Sequence, residues 1–201
     1  MVKLCAKKIT SLLLSNEAIN LYDYELYKYG FETLIAFIVN IFIILIISFL
    51  AGKFKYTLLF LCCYCPIRQY TGGYHAENYK KCLGVFIIIY LMDVTILNWI
   101  KNLKLNEILL LMELISFIGI WILAPIEHRE KPLTNKEIAH YKKVSRGLSG
   151  AVLILAFIGM NFKLTYEYSM YASSSLIWIF IMLNLAIIKD KGGYKHGETF
   201  K

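Results

Sequence analysis

Apolar residues fall into six long runs, at 33–51, 56–67, 82–99, 108–124, 148–162 and 171–188, separated by short polar stretches. A helix that crosses a bilayer needs about 20 predominantly apolar residues. Five of the runs approach that length. The second, 56–67, is cut short by Arg68. It is expected to be tilted, broken, or continued into the polar stretch that follows by backbone buried in protein. Before the first run, residues 1–28 place Leu4, Leu12, Ile19 and Leu26 at roughly helical spacing among Lys3, Lys7, Lys8, Glu17, Asp23 and Glu25. That pattern reads as an amphipathic helix lying in the membrane surface; an ordinary helix packed on the bundle fits it equally well. The predicted fold is all-α: a polytopic transmembrane helical bundle of about six spans with an N-terminal interfacial amphipathic helix. Residues 1–201 are read as a single membrane domain, with 1–28 interfacial, 33–188 the bundle, and 189–201 a cytoplasmic tail.

Composition agrees. Of the 201 residues 58% are hydrophobic, against about 45–50% in soluble domains. Met1–Lys28 mixes charges throughout and lacks the apolar core of a signal peptide. The net charge of +8 sorts by topology. With six spans and the N-terminus in the cytoplasm, seventeen of the 22 Lys and Arg residues fall on the inner side and five on the outer, as the positive-inside bias requires. Both termini are then cytoplasmic in a plasma-membrane protein. No basic, aromatic-interleaved soluble module is present, so nucleic acid is not an expected partner. The five cysteines, Cys5, Cys62, Cys63, Cys65 and Cys82, are odd in number and irregular in spacing. This argues against a disulfide framework and suits thiols kept reduced near the cytosol.

The polar stretch 68–82, on the predicted cytoplasmic side, holds the candidate chemistry. It carries Arg68, Gln69, the pair Gly72-Gly73, His75, Glu77, Asn78 and Cys82. Histidine and cysteine together make a thiolate nucleophile with its base. On one continuous helix His75 and Cys82 would share a face but lie about 10 Å apart along the axis, too far for proton transfer, so the backbone must fold between them. Gly72-Gly73 permits the dihedrals for that. Cys82 heads an apolar run, and a helix N-terminus favours the anionic sulfur. Structural roles compete: a cysteine heading an apolar helix is more often a small buried residue, and an interfacial histidine a polar cap. Cys65, His75 and Cys82 could alternatively hold a metal, although the C-C-x-C spacing of Cys62, Cys63 and Cys65 is not a usual zinc pattern.

At Arg68, Gly72-Gly73, His75-Ala76 and Cys82 the chain resembles the accessory gene regulator protein B (AgrB) family, the membrane peptidases of peptide quorum sensing. The resemblance extends to residues 125–133, similar to the family's proline-flanked basic loop, and length and hydropathy agree over essentially the whole chain. It implies a cysteine endopeptidase, with Cys82 as nucleophile and His75 as general base and acid. The implied substrate is an AgrD-type pro-peptide with an acidic C-terminal tail. The tail would be cleaved off, leaving an acyl thioester on Cys82 that an internal cysteine or serine converts to a thiolactone or lactone. It also implies a homodimer, and neither cofactor nor metal is expected. Arg68, Gln69, Gly72, Gly73 and Glu77 are candidate supporting residues. Arg129, Lys131, Lys142 and Lys143 are candidates for binding the acidic tail.

Asp93 and Glu113 lie inside apolar runs, where ionisable groups are functional candidates by default. Asp93, eleven residues past Cys82, would sit about 16 Å deeper on a helix, out of reach of a histidine beside the thiol. A non-enzymatic membrane protein, such as a peptide exporter or sensor-kinase partner with Asp93 and Glu113 lining a path, is the alternative. A redox or metal sensor built on the cysteines is a third.

Overall fold

Each apolar run becomes one helix. The computed structural model describes residues 2–73, 79–126 and 133–197. It is built from α1 (Val2–Ser15), α2 (Tyr24–Leu50), α3 (Phe54–Thr71), α4 (Tyr79–Leu103), α5 (Asn106–Leu123), α6 (Asn135–Gly159) and α7 (Tyr166–Gly197). No strand occurs among the described residues, and the all-α reading holds. Four stretches are long and apolar enough to cross a membrane: Leu21–Leu50, Lys81–Leu103, Asn106–Leu123 and Tyr166–Lys189. α3 and α6, which carry the expected second and fifth spans, are not among them. Large apolar side chains point outward on α2, α4 and α5, including Phe42, Phe49, Ile88, Ile96, Leu111 and Ile122. In water such a surface would aggregate; a bilayer solvates it.

The chain forms two compact units, residues 1–51 and 52–201. In the first, α1 packs on α2. The amphipathic helix is shorter than the 1–28 expected, ending at Ser15. Glu17 adopts a positive φ of 55°, and a 3-10 turn at Leu21–Asp23 precedes α2. Ala6 and Thr10, one turn apart, are buried, and Ser11 meets the Tyr24 hydroxyl at 3.3 Å.

In the second unit α7 is the central post. α3, α5 and α6 pack extensively on it, and α4 more lightly. Every residue from Ser169 to Leu176 is buried, five of them Ser or Ala. Small side chains let neighbouring backbones approach closely, the usual basis of helix association in membranes. Glycines on the partners extend the fit: Gly119 of α5 receives the Phe180 ring, and Gly159 lies against Ser169. The short second run resolves as a continued helix. α3 runs through Pro66 and Arg68 to Thr71, although proline withdraws one intrahelical donor. At its start α6 is fixed by a capping box: Thr134 N–H donates to Glu137 Oε2 at 2.8 Å, and Glu137 N–H donates to Thr134 Oγ1 at 3.4 Å. Such a cap contributes about 1 kcal/mol.

The two ends of this unit are built from different pieces. At one, Glu167 of α7 pairs with Lys101 of α4 and, at 3.7 Å, with Lys53 just before α3. Tyr166 bonds Asn106 at the start of α5. The opposite end carries the C-terminal end of α3, the first turn of α4, the segment after α5 and the start of α6.

Candidate functional site

The end of α3 is held by backbone. Ile126 N–H donates to the Thr71 carbonyl at 2.9 Å, and Gly72 and Ile126 form an isolated parallel bridge. Gly72 takes φ 69°, ψ −149°, a region essentially closed to other residues. A Cβ on it would also run into the Ile126 carbonyl oxygen. Gly73 has φ 118°, and a Cβ there would lie 2.5 Å from Arg68 Nη1. Both glycines are therefore required, for conformation and for close approach: one to the segment after α5, the other to the Arg68 guanidinium. The chain leaves α3 in a set direction as it enters the polar stretch.

Cys82 lies in the first turn of α4 and is exposed, so the expectation that it heads a helix is met in geometry. No disulfide involves it or any other cysteine. Phe86, one turn further along α4, meets the Tyr64 ring with centroids 5.7 Å apart. The buried Tyr64 hydroxyl bonds Arg68 and lies within electrostatic reach of the Cys82 thiol. Tyr64 and Arg68 are one turn apart on α3, so this face of α3 looks onto the first turns of α4. Arg68 thus packs on Gly73 and bonds the Tyr64 hydroxyl. Gln69 is exposed on the next face of α3.

α6 adds a basic and aromatic wall. Tyr70 of α3 meets Tyr141 edge-on at 5.4 Å and His140 at 6.2 Å. A shallow groove of about 530 Å³ is lined by Trp121, Ala139, Lys142, Lys143, Arg146 and Gly147. Arg146 stacks on the Trp121 ring at 4.6 Å and donates to its carbonyl from Nη2 at 2.9 Å and from Nε at 3.2 Å. Lys142 and Lys143 are exposed beside it. Of the candidate residues, the structure brings Arg68, Gly72, Gly73 and Cys82 to one end of the unit and puts Lys142 and Lys143 together in one groove. His75, Glu77, Arg129 and Lys131 lie outside the described residues. Tyr64, Trp121, His140 and Arg146 were not singled out by the sequence. Tyr64 had a readable signal, since it precedes Arg68 by one helical turn.

Asp93 is on the same unbroken helix as Cys82, about 16 Å further along, and takes no part in this site. It accepts a hydrogen bond from Trp178 Nε1 at 2.9 Å. Glu113 accepts one from Ser173 at 2.9 Å. Both acids are packed against α7.

The family described as accessory gene regulator B (AgrB) matches residues 6–183. "Putative AgrB-like protein 1" of Clostridium perfringens (strain 13 / Type A) is 26% identical over 157 residues, covering 78% of each chain. "Putative AgrB-like protein 2" of the same strain is 26% identical over 195 residues, 92% of this chain and 86% of the relative. A further "Putative AgrB-like protein", from strain SM101, is 26% identical over 167 residues, 81% of this chain and 77% of the relative. No solved structure matches.

Proposed function

Because this membrane protein belongs to the accessory gene regulator B family, we propose that it is a cysteine endopeptidase and cyclase for an AgrD-type quorum-sensing pro-peptide. The observation that most supports this is the exposed Cys82 thiol in the first turn of α4, beside an α3 end whose course Gly72 and Gly73 fix.

In this reading His75 takes the proton of Cys82, and the thiolate attacks the carbonyl at the junction of signal and tail. The tetrahedral oxyanion collapses with cleavage of the C–N bond. His75 returns the proton to the leaving amine, the new N-terminus of the tail. The signal part remains as an acyl thioester on Cys82. An internal thiol of the peptide, deprotonated by His75, then attacks that carbonyl. The ring closes as a thiolactone and the Cys82 thiolate leaves, to be reprotonated by His75. One thioester replaces another, so no ATP is needed. Holding the internal thiol beside the acyl carbon supplies effective concentration, and a water-poor site at the membrane edge limits hydrolysis.

In this reading Arg68, at the same end of the unit as Cys82, favours the anionic forms of the reaction. The groove of Lys142, Lys143 and Arg146 suits the acidic tail, the Trp121 ring providing an apolar floor. Arg129 and Lys131 extend that basic surface in sequence. The site faces the cytoplasm, as do both termini of a multi-pass chain, and the active form is a homodimer.

Purified protein incubated with the pro-peptide of its own operon, with Cys82→Ser alongside, tests the reading. Cleavage and ring closure lost in the serine variant support it. Undiminished peptide processing or export by Cys82→Ser would move the non-enzymatic reading to the front.

A further inference from the structure

Toward the Glu167 end of the second unit a groove of about 370 Å³ opens between α3 and α6, against the first turns of α7. That lies within the roughly 300–1,000 Å³ of small-molecule sites. Leu59 and Cys63 of α3 line one side, Leu155, Ala156 and Ile158 of α6 the other, and α7 contributes Ala172. From Val152 to Gly159 the α6 wall runs about 10 Å along the helix. None of these residues belongs to the site at Cys82 or to the groove of Lys142 and Lys143.

The hydroxyls that line this groove are used by backbone. Thr165 Oγ1 donates to the Gly159 carbonyl at 2.7 Å, and Ser169 Oγ donates to the Thr165 carbonyl at 3.1 Å. An occupant therefore meets mainly methyl, methylene and ring surface, which holds water poorly. The rim continues the apolar exterior of the bundle: Leu155, Ile158 and Phe162 are each more than half exposed, as are Ile154 and Phe157 beside them. In a bilayer that surface faces hydrocarbon. A groove open to hydrocarbon is filled by it, because an empty groove forfeits dispersion contacts. An extended peptide would bring backbone N–H and C=O groups that this lining cannot pair.

Two lysines stand at one end of the groove. Lys55 precedes Leu59 by one turn of α3. Lys163 falls between Phe162 and Thr165, both of which line the groove. The starts of α3 and α7 meet at this end, with the Tyr56 and Tyr168 ring centroids 4.8 Å apart. Both lysines are exposed, and among the described residues neither pairs with a carboxylate. Glu167 is taken by Lys101 and Lys53, and Glu107 sits on α5, which does not line the groove. An apolar slot with uncompensated cations at one end is complementary to an amphiphile with an anionic head. We propose that this groove is a site for one anionic phospholipid, with an acyl chain between α3 and α6 and the phosphate at Lys55 and Lys163.

The test is native mass spectrometry of the purified chain released from nanodiscs of equal parts phosphatidylglycerol and phosphatidylcholine. Wild type should retain one phospholipid per chain, with phosphatidylglycerol preferred roughly tenfold. Lys55→Gln with Lys163→Gln should bring that preference to near parity. Leu59→Trp, which fills the groove from α3, should lose the retained lipid. If Leu59→Trp does not fold, wild type decides the matter: phosphatidylglycerol with a diazirine on its acyl chain should crosslink within residues 59–63 or 152–162. The proposal is overturned if wild type retains no lipid, if the double lysine variant keeps the full preference, or if crosslinks fall only elsewhere. It is equally overturned if inorganic phosphate displaces the retained lipid, since the acyl chain would then contribute nothing. A Leu59→Trp chain that binds lipid as wild type does but changes its oligomeric state would give the groove to a second copy instead. None of these readouts depends on peptide cleavage, so they stand apart from the reading of Cys82.

Discussion

The two ends of the α3–α7 unit are fastened differently. At one, charged side chains tie helices together, with Glu167 between Lys101 and Lys53. At the other, backbone does the fastening: Ile126 bonds Thr71, and Gly72 and Gly73 let a carbonyl and a guanidinium approach within normal contact. Side-chain ties tolerate substitution, because a lost pair can be replaced by water at modest cost. A backbone fastening at a positive φ tolerates almost none. The tolerant end holds the bundle together. The intolerant end aims the polar stretch that carries the candidate chemistry.

The largest expected effect is at the intolerant end. Cys82→Ala and His75→Ala should each lower pro-peptide cleavage by roughly three orders of magnitude or more, with unfolding unchanged, as read by product mass and by a thermal melt of the same sample. Next comes Gly72→Ala. It should cost about 1–3 kcal/mol of stability and reduce cleavage by at least about tenfold through misplacement of the stretch after α3. If Gly72→Ala is as active as wild type, the backbone fastening does not aim the site. A smaller effect is expected in the groove. Lys142→Glu with Lys143→Glu should raise KM about tenfold while kcat holds, and the wild-type KM should itself rise with salt. Steady-state kinetics at two ionic strengths check both. The smallest effect belongs to the tolerant end. Glu167→Gln should cost about 1 kcal/mol in a denaturation experiment and leave cleavage at the wild-type rate. Lost cleavage there at unchanged stability would erase the distinction between the ends.

Much of this was legible in the sequence. Each apolar run became a helix, four of them within stretches long and apolar enough to be surrounded by lipid. Gly72-Gly73 was readable as a place of unusual dihedrals, and Cys82 as the head of a helix. The length of α3 was left open between a tilted, a broken and a continued helix, since Pro66 and Arg68 read as the end of an apolar segment. Arg68 is accommodated because Tyr64 and Gly73 receive its guanidinium, a contact between positions that only folding brings together. The central place of α7 had a signal in its run of small residues from Ala172 to Ser175, which marks close packing but does not say against what. The Trp121–Arg146 pair was hidden because 25 residues separate its members. The early end of α1 at Ser15 went unread because leucines continue at helical spacing beyond it.

In the proposed reaction Cys82 carries the acyl group of the pro-peptide. Intact mass of the purified protein in lipid, after incubation with the pro-peptide, tests this most directly. The expected result is an adduct equal to the peptide without its C-terminal tail, labile to hydroxylamine, absent from Cys82→Ala, and followed by release of a ring-closed product. A folded protein that cleaves the pro-peptide with no adduct, or forms the same adduct after Cys82→Ala, would contradict it.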